Sequence, residues 1–63
     1  MKFLKERSVK VYGKDIIEMN NDIDRILSMS DSDKKIKSEE LIMVSKENDW
    51  VEAIFIYSIW ECE

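Results

Sequence analysis

The sequence predicts a small α+β domain in which one amphipathic helix packs on a three-stranded sheet, in the order β-α-β-β. Three observations support this fold class. Two valines alternate with polar residues near the N-terminus, one stretch in the first half has helical spacing, and two β-rich stretches flank a short polar turn in the second half. We expect the 63 residues to form a single domain over 1–63.

The first strand is predicted at residues 8–12, where Val9 and Val11 fall on one face of an extended chain. Gly13, the only glycine, ends this pattern. The sequence contains no proline, and we find no linker and no low-complexity segment in it.

Residues 15–29 have the three- and four-residue spacing of an amphipathic helix. The apolar stripe of this helix consists of Ile16, Met19, Ile23, Ile26 and Leu27. Asp15 and Glu18 lie near its start, where the helix dipole favours acidic side chains. We expect the stripe to form the core together with Val9, Val11 and one face of the strands that follow.

The second half of the chain is predicted to be a hairpin. Residues 30–35 are polar and indicate a turn. The next segment, 37–45, is ambiguous, because its glutamates and leucine favour a helix whereas its run of four apolar residues precedes a polar turn and a second apolar stretch. We favour a strand there and keep the helix as the alternative.

The strongest strand signal is residues 50–60, where Glu52 is the one charge and β-branched and aromatic side chains dominate. Alternation places Val51, Ala53, Phe55, Tyr57 and Ile59 on one face. It places Trp50, Glu52, Ile54, Ile56, Ser58 and Trp60 on the other. The helix has one apolar stripe and therefore covers one face, so the other face is expected to stay open as an interaction site. The residues predicted to bind a partner or a second copy are Trp50, Ile54, Ile56 and Trp60.

A chain of this length buries only about 60% of its unfolded surface, so disulfides, metals or oligomerisation often supplement the core. Cys62 is the only cysteine and closes no internal disulfide, and the absence of histidine argues against zinc. The segment 31–33 lacks the glycine and the distal glutamate of a calcium loop, so we predict no metal. We expect a homodimer or larger assembly, formed through the open face or a sheet edge, with a well-packed monomer as the alternative.

Charge is unevenly distributed, with +4 in residues 1–14 and −8 in residues 15–63. Most of the domain would repel nucleic acid, so we expect no nucleic-acid partner. The candidate contacts for a ligand or a phosphate are Arg7, Lys10 and Arg25. The N-terminus does not resemble an export signal, and the apolar run 50–60 is shorter than the roughly 20 residues that a membrane span requires. We expect a cytoplasmic protein without membrane contact.

Three stretches, residues 9–12, 21–27 and 53–57, resemble very short sporulation-type proteins of unknown function from spore-forming bacteria and their phages. In those proteins a short strand precedes an amphipathic helix and a hairpin that ends in an aliphatic strand with a tyrosine. The resemblance implies the same fold and an origin in a phage or accessory element, and it implies no activity. The acidic residues at 39–40 and the tryptophan at 60 depart from that pattern.

The sequence contains no histidine, no glycine-rich nucleotide loop and no Ser/His/Asp set. We therefore expect no enzymatic activity and no cofactor. The predicted function is that of a small non-catalytic interaction protein that binds and modulates, for example inhibits, a host or cellular protein. The alternative is an oligomer that binds or sequesters a small ligand, such as a nucleotide signal, and the third candidate is an acidic decoy of a nucleic-acid-binding protein.

Overall fold

The computed structural model describes residues 1–62 and contains one helix and an antiparallel three-stranded sheet. The elements are β1 (Lys2–Gly13), α1 (Ile16–Leu27), β2 (Lys34–Glu47) and β3 (Trp50–Glu61). The predicted α+β class and β-α-β-β order are confirmed. The ambiguous segment 37–45 is a strand, as favoured, and not a helix.

The strands are longer than the sequence predicted, and the helix is shorter. β1 begins at Lys2 instead of residue 8, because its basic first half pairs with the end of β3. The predicted turn at 30–35 is cut short because Lys34 and Lys35 also pair with that end. Backbone pairing requires no apolar side chains, so strand segments rich in lysine gave no hydrophobic signal.

The sheet order is β1-β3-β2, which places the most apolar strand in the centre. β2 and β3 form a hairpin, and β3 also pairs with β1 in an antiparallel register. Three residues of the edge strands have no directly opposite partner and mark bulges or irregularities: Leu4 in β1, and Glu39 and Val44 in β2. β3 contains no such interruption, so its side chains alternate regularly between the two faces.

The helix covers part of one face of the sheet. It begins after Asp15, whose side chain accepts a hydrogen bond of 2.9 Å from the backbone N–H of Glu18. The buried core consists of Val11, Met19, Val51, Ala53 and Phe55, flanked by the partly buried Ile23, Ile26, Leu27 and Tyr57. Twelve helical residues span roughly 18 Å, whereas the molecule is 44 Å long. The helix packs mainly on β1 and only slightly on β2.

Two residues predicted for the core are exposed. Val9 is 37% exposed because it lies on an edge strand, where water reaches its side chain from outside the sheet. Ile16 is 43% exposed because it is the first residue of α1 and has solvent on its N-terminal side. Among residues 1–62, no helix has the length and hydrophobicity that crossing a membrane requires.

Candidate protein-binding face

The side of the sheet opposite α1 is covered by no helix or strand of residues 1–62. On β3, the odd-numbered Val51, Ala53 and Phe55 are buried on the helix side. The even-numbered residues therefore point the other way. We call this surface the open face, and its β3 residues are Trp50, Glu52, Ile54, Ile56, Ser58 and Trp60. Residues directly opposite them on β1 and β2 contribute side chains to the same face.

The centre of the open face is aliphatic. Ile54 and Ile56 are half-buried on the central strand, although no second layer lies over them. Ile42 of β2 lies directly opposite Ile54 and is 43% exposed. On the β1 side, Lys10 lies opposite Ile54, and its ammonium is 3.9 Å from a carboxylate oxygen of Glu52. These isoleucines form a contiguous apolar strip across two strands.

An aromatic pair lies at each end of this strip. Tyr12 and Trp50 stack with ring centroids 5.4 Å apart and an angle of 25° between the ring planes. At the other end Phe3 and Trp60 meet edge to face, with centroids 5.4 Å apart and an angle of 80°. The ten residue steps from Trp50 to Trp60 span about 33 Å. The open face thus has an aliphatic centre and an aromatic pair at either end, with Glu52 and Ser58 of β3 between them.

Hydrogen bonds on the open face orient both indoles along β3. The Trp50 Nε1–H donates to Glu52 Oε1 at 3.3 Å, and the Trp60 Nε1–H donates to Ser58 Oγ at 2.8 Å. The Ser58 hydroxyl in turn donates to the carboxylate of Glu39. Both indole N–H groups are therefore satisfied within the chain, and neither tryptophan leaves an unpaired donor towards a partner.

The structure places the four predicted interaction residues, Trp50, Ile54, Ile56 and Trp60, on one face. Ser58 shares that face but is 1% exposed, because Trp60 and Glu39 bond to its hydroxyl and enclose it. The four named interaction residues all come from β3 and do not include those that β1 and β2 contribute, namely Phe3, Tyr12, Lys37 and Ile42. The face on which these residues lie depends on the strand register. Alternation within each strand shows only which of its residues share a face, and it does not show which face of the sheet that is.

The three predicted ligand contacts are not brought together. Arg7 lies opposite Tyr57, on the helix side of β1, whereas Lys10 lies on the open face. Arg25 is on α1, where its guanidinium is 3.3 Å from the carboxylate of Asp22. A phosphate site shared by these three residues is therefore not formed within one copy of the chain.

A cleft of about 560 Å³ lies where the Tyr12–Trp50 pair meets the helix. Its lining includes Glu18, Asn21, Asp22 and Arg25. The two carboxylates outnumber the one guanidinium, so the cleft has a net negative charge. This charge favours a neutral or cationic molecule over a phosphate-bearing one.

Comparisons with protein-family models, with curated proteins and with solved structures found no match. The resemblance to short sporulation-type proteins therefore stays a prediction.

Proposed function

We propose that this chain is a non-catalytic interaction protein that binds and modulates another protein through its open face. The observation that carries the proposal is the uncovered apolar strip of Ile54 and Ile56 with a tryptophan-containing pair at either end. Apolar sheet faces are generally buried against a second layer. A protein surface that covers the strip would complete that layer.

The composition and rigidity of the open face support binding. Tryptophan and tyrosine are enriched among the interface residues whose truncation costs most binding energy. Here each indole is already oriented by its hydrogen bond, to Glu52 or to Ser58. Side chains that are ordered before binding lose less entropy in the complex. The open face carries charges of both signs, because Lys10 and Lys37 lie among Glu39, Glu47 and Glu52. The Lys37 ammonium is 5.2 Å from the centre of the Trp60 ring.

The dimensions of the strip suit one helix of a partner. Three strands are roughly 10–14 Å wide, and the two tryptophans are about 33 Å apart. An α-helix with its side chains is about 10–12 Å thick, and about 22 residues span this length. The partner element that fits is therefore an amphipathic helix with an aliphatic stripe.

The test uses tagged protein to capture partners from a native lysate of the source organism. Wild type is compared with Ile54→Lys on the open face and with Ile17→Lys, a matched control on the 74% exposed outer side of α1. We expect one protein to be retained by wild type and by the control and lost with Ile54→Lys. With that protein purified, the Kd for Ile54→Lys should be at least tenfold weaker.

Circular dichroism establishes that both variants are folded before they are compared. Equal binding by Ile54→Lys and wild type would exclude the open face as the binding site. If both variants lost the captured protein equally, the added lysine charge and not the open face would explain the loss.

The second candidate is a small-ligand binder, and the cleft beside Tyr12 and Trp50 is the observation that favours it. Stacked aromatic rings bind planar ligands. Thermal shift measurements across nucleotides and neutral or cationic aromatic compounds test this candidate, with Tyr12→Ala as the site variant. Stabilisation that disappears in Tyr12→Ala would support the cleft as a ligand site, and no stabilisation by any compound would contradict it.

A further inference from the structure

The outer edge of β2 exposes apolar side chains on both faces of the sheet. The four residues concerned are each 40–52% exposed: Leu41, Ile42, Met43 and Val44. Leu41 and Met43 lie opposite Phe55 and Ala53 and thus on the helix side, whereas Ile42 lies on the open face. A partner that docks on one face leaves the other side exposed. A strand added to the β2 edge approaches both sides at once and pairs the free backbone groups of the edge.

The two edges of the sheet differ in how they are protected. β1 carries Lys2, Lys5, Arg7 and Lys10, has an irregular register at Leu4, and lies beside α1. Charges, bulges and a covering helix are the usual means by which proteins prevent edge pairing. On β2 the Ile36 N–H, close to the start of the strand, donates to Ser30 Oγ at 3.1 Å. Further along β2, residues 41–44 form an uncharged segment at an edge.

The side chains of β2 are arranged symmetrically about Ile42. At equal distances before and after Ile42, two residues lie on the same face of the sheet wherever both can be assigned to a face. Contacts and register place Lys37, Glu39, Glu40, Ile42, Ser45 and Glu47 on the open face. They place Ser38, Leu41, Met43 and Lys46 on the helix side. This symmetry arises because Glu39 and Val44, the residues without opposite partners, lie on either side of Ile42.

We propose that two copies of this chain pair their β2 strands antiparallel, about a two-fold axis through Ile42. In that register Leu41 faces Met43 of the second copy, and Ser38 faces Lys46. Glu39 then faces Ser45 on the open face, and Glu40, also on the open face, meets Val44, which has no opposite partner in its own sheet. Moving the axis to Leu41 would oppose Glu39 to Met43, which lie on different faces of the sheet. Moving it to Met43 would in the same way oppose Leu41 to Ser45.

Charge also favours a second copy in this orientation. The Ile42 axis places Lys37 of each copy opposite Glu47 of the other, and opposite charges in direct cross-strand pairs are stabilising. A parallel arrangement in register would instead place Glu39 and Glu40 against their own copies. The two-fold arrangement closes after two chains and so does not grow into a filament. The product is a six-stranded sheet with both helices on one side.

The proposed dimer forms along the β2 edge and not on β3, and it stands independently of the proposed function. Each copy keeps Trp50, Ile54, Ile56 and Trp60 uncovered. The two open faces become continuous through the paired Ile42 side chains. Loss of dimerisation and loss of partner binding are therefore separately measurable.

A disulfide experiment tests the register in a Cys62→Ser background. Side chains directly opposite each other have Cβ atoms about 4.5–5.5 Å apart, whereas diagonal neighbours are about 7–8 Å apart. Under mild oxidation we expect Ile42→Cys to form a covalent dimer with itself. Leu41→Cys and Met43→Cys should each form no disulfide-linked dimer alone and should cross-link to each other when mixed. Equal cross-linking at all three positions would overturn the proposed register.

A charge exchange tests the same arrangement without touching the apolar residues. Sedimentation equilibrium should give twice the 7.5 kDa chain mass for wild type. Lys37→Glu and Glu47→Lys, both on exposed residues, should each weaken dimerisation roughly tenfold, because two symmetric attractive pairs become repulsive. The double variant should return the dimer dissociation constant to within about twofold of wild type.

Ile54→Lys serves as the control, since it changes the open face and should leave the dimer intact. A monomer at hundreds of micromolar would refute the proposal, as would a dimer that Ile54→Lys abolishes and both charge variants leave unchanged. Failure of the double variant to restore the dimer would refute it as well. Open-ended fibres would indicate head-to-tail pairing of the two edges and would also overturn it.

Discussion

Gly13 is the point where the end of β1 touches the first turn of α1, and replacing it with alanine tests how closely they pack. A Cβ at this position would lie 2.8 Å from the backbone nitrogen of Met19 and 2.9 Å from Glu18 Cβ. Ordinary contact begins at 3.4 Å, so the helix would have to move by about 0.6 Å. Met19 is 1% exposed at the centre of the core, and its backbone cannot shift alone.

The expected cost follows from two opposing effects. Overpacking of this kind costs about 1–3 kcal/mol, and the lower entropy of an unfolded chain with alanine returns about 0.4–1 kcal/mol. We expect Gly13→Ala to lower the free energy of unfolding by about 1–2 kcal/mol. In a domain of this size that corresponds to a decrease in Tm of about 5–15 °C.

Thermal and urea unfolding followed by far-ultraviolet circular dichroism measure this change. Ser8→Ala, at an exposed position of the same strand, is the control and should stay within about 0.5 kcal/mol of wild type. A Tm for Gly13→Ala equal to or above that of wild type would refute the close approach of strand and helix. It would show that the only glycine serves chain flexibility and not packing.

Three further substitutions test the cap, the buried hydroxyl and the core. Asp15→Ala should cost about 0.5–2 kcal/mol, because the Glu18 N–H loses its acceptor; Asp15→Asn should retain most of this stability in urea unfolding. Ser58→Ala should cost about 1 kcal/mol by removing the hydroxyl that joins an indole to a carboxylate, and unchanged urea unfolding would contradict this role. Met19→Ala should cost about 2–5 kcal/mol and leave much of the chain unfolded by circular dichroism. Ile17→Ala, a neighbouring change on the exposed side of the helix, should remain within about 0.5 kcal/mol of wild type.

The hydrophobic pattern predicted the helix and the last strand well. The apolar spacing of α1 and the β-branched and aromatic residues of β3 are each contained within one segment of the sequence. β3 begins at Trp50 as expected and extends one residue beyond the predicted end. β1 and β2 were predicted too short, since their outer segments are held by pairing with β3 and not by their own side chains. Lys2 and Lys34 join strands only because β3 supplies hydrogen-bonding partners at that end.

The candidate site was predicted in part. Strict alternation along β3 placed Trp50 and Trp60 on the same face, and no tertiary information was needed for that step. Their aromatic neighbours Tyr12 and Phe3 come from β1 and depend on the register between strands. Ser58 shows the limit of the pattern, since its burial depends on a bond to Glu39, nineteen residues away.

The sequence by itself determined the class of the fold, the single apolar stripe of the helix and the excess of apolar side chains on the last strand. These features depend on periodicities within single segments. Tertiary structure alone decided that β3 is central, and that irregularities at Glu39 and Val44 arrange the β2 side chains symmetrically about Ile42. Strand order and register arise from contacts between distant segments. A one-residue slip would reverse every face without changing the local pattern.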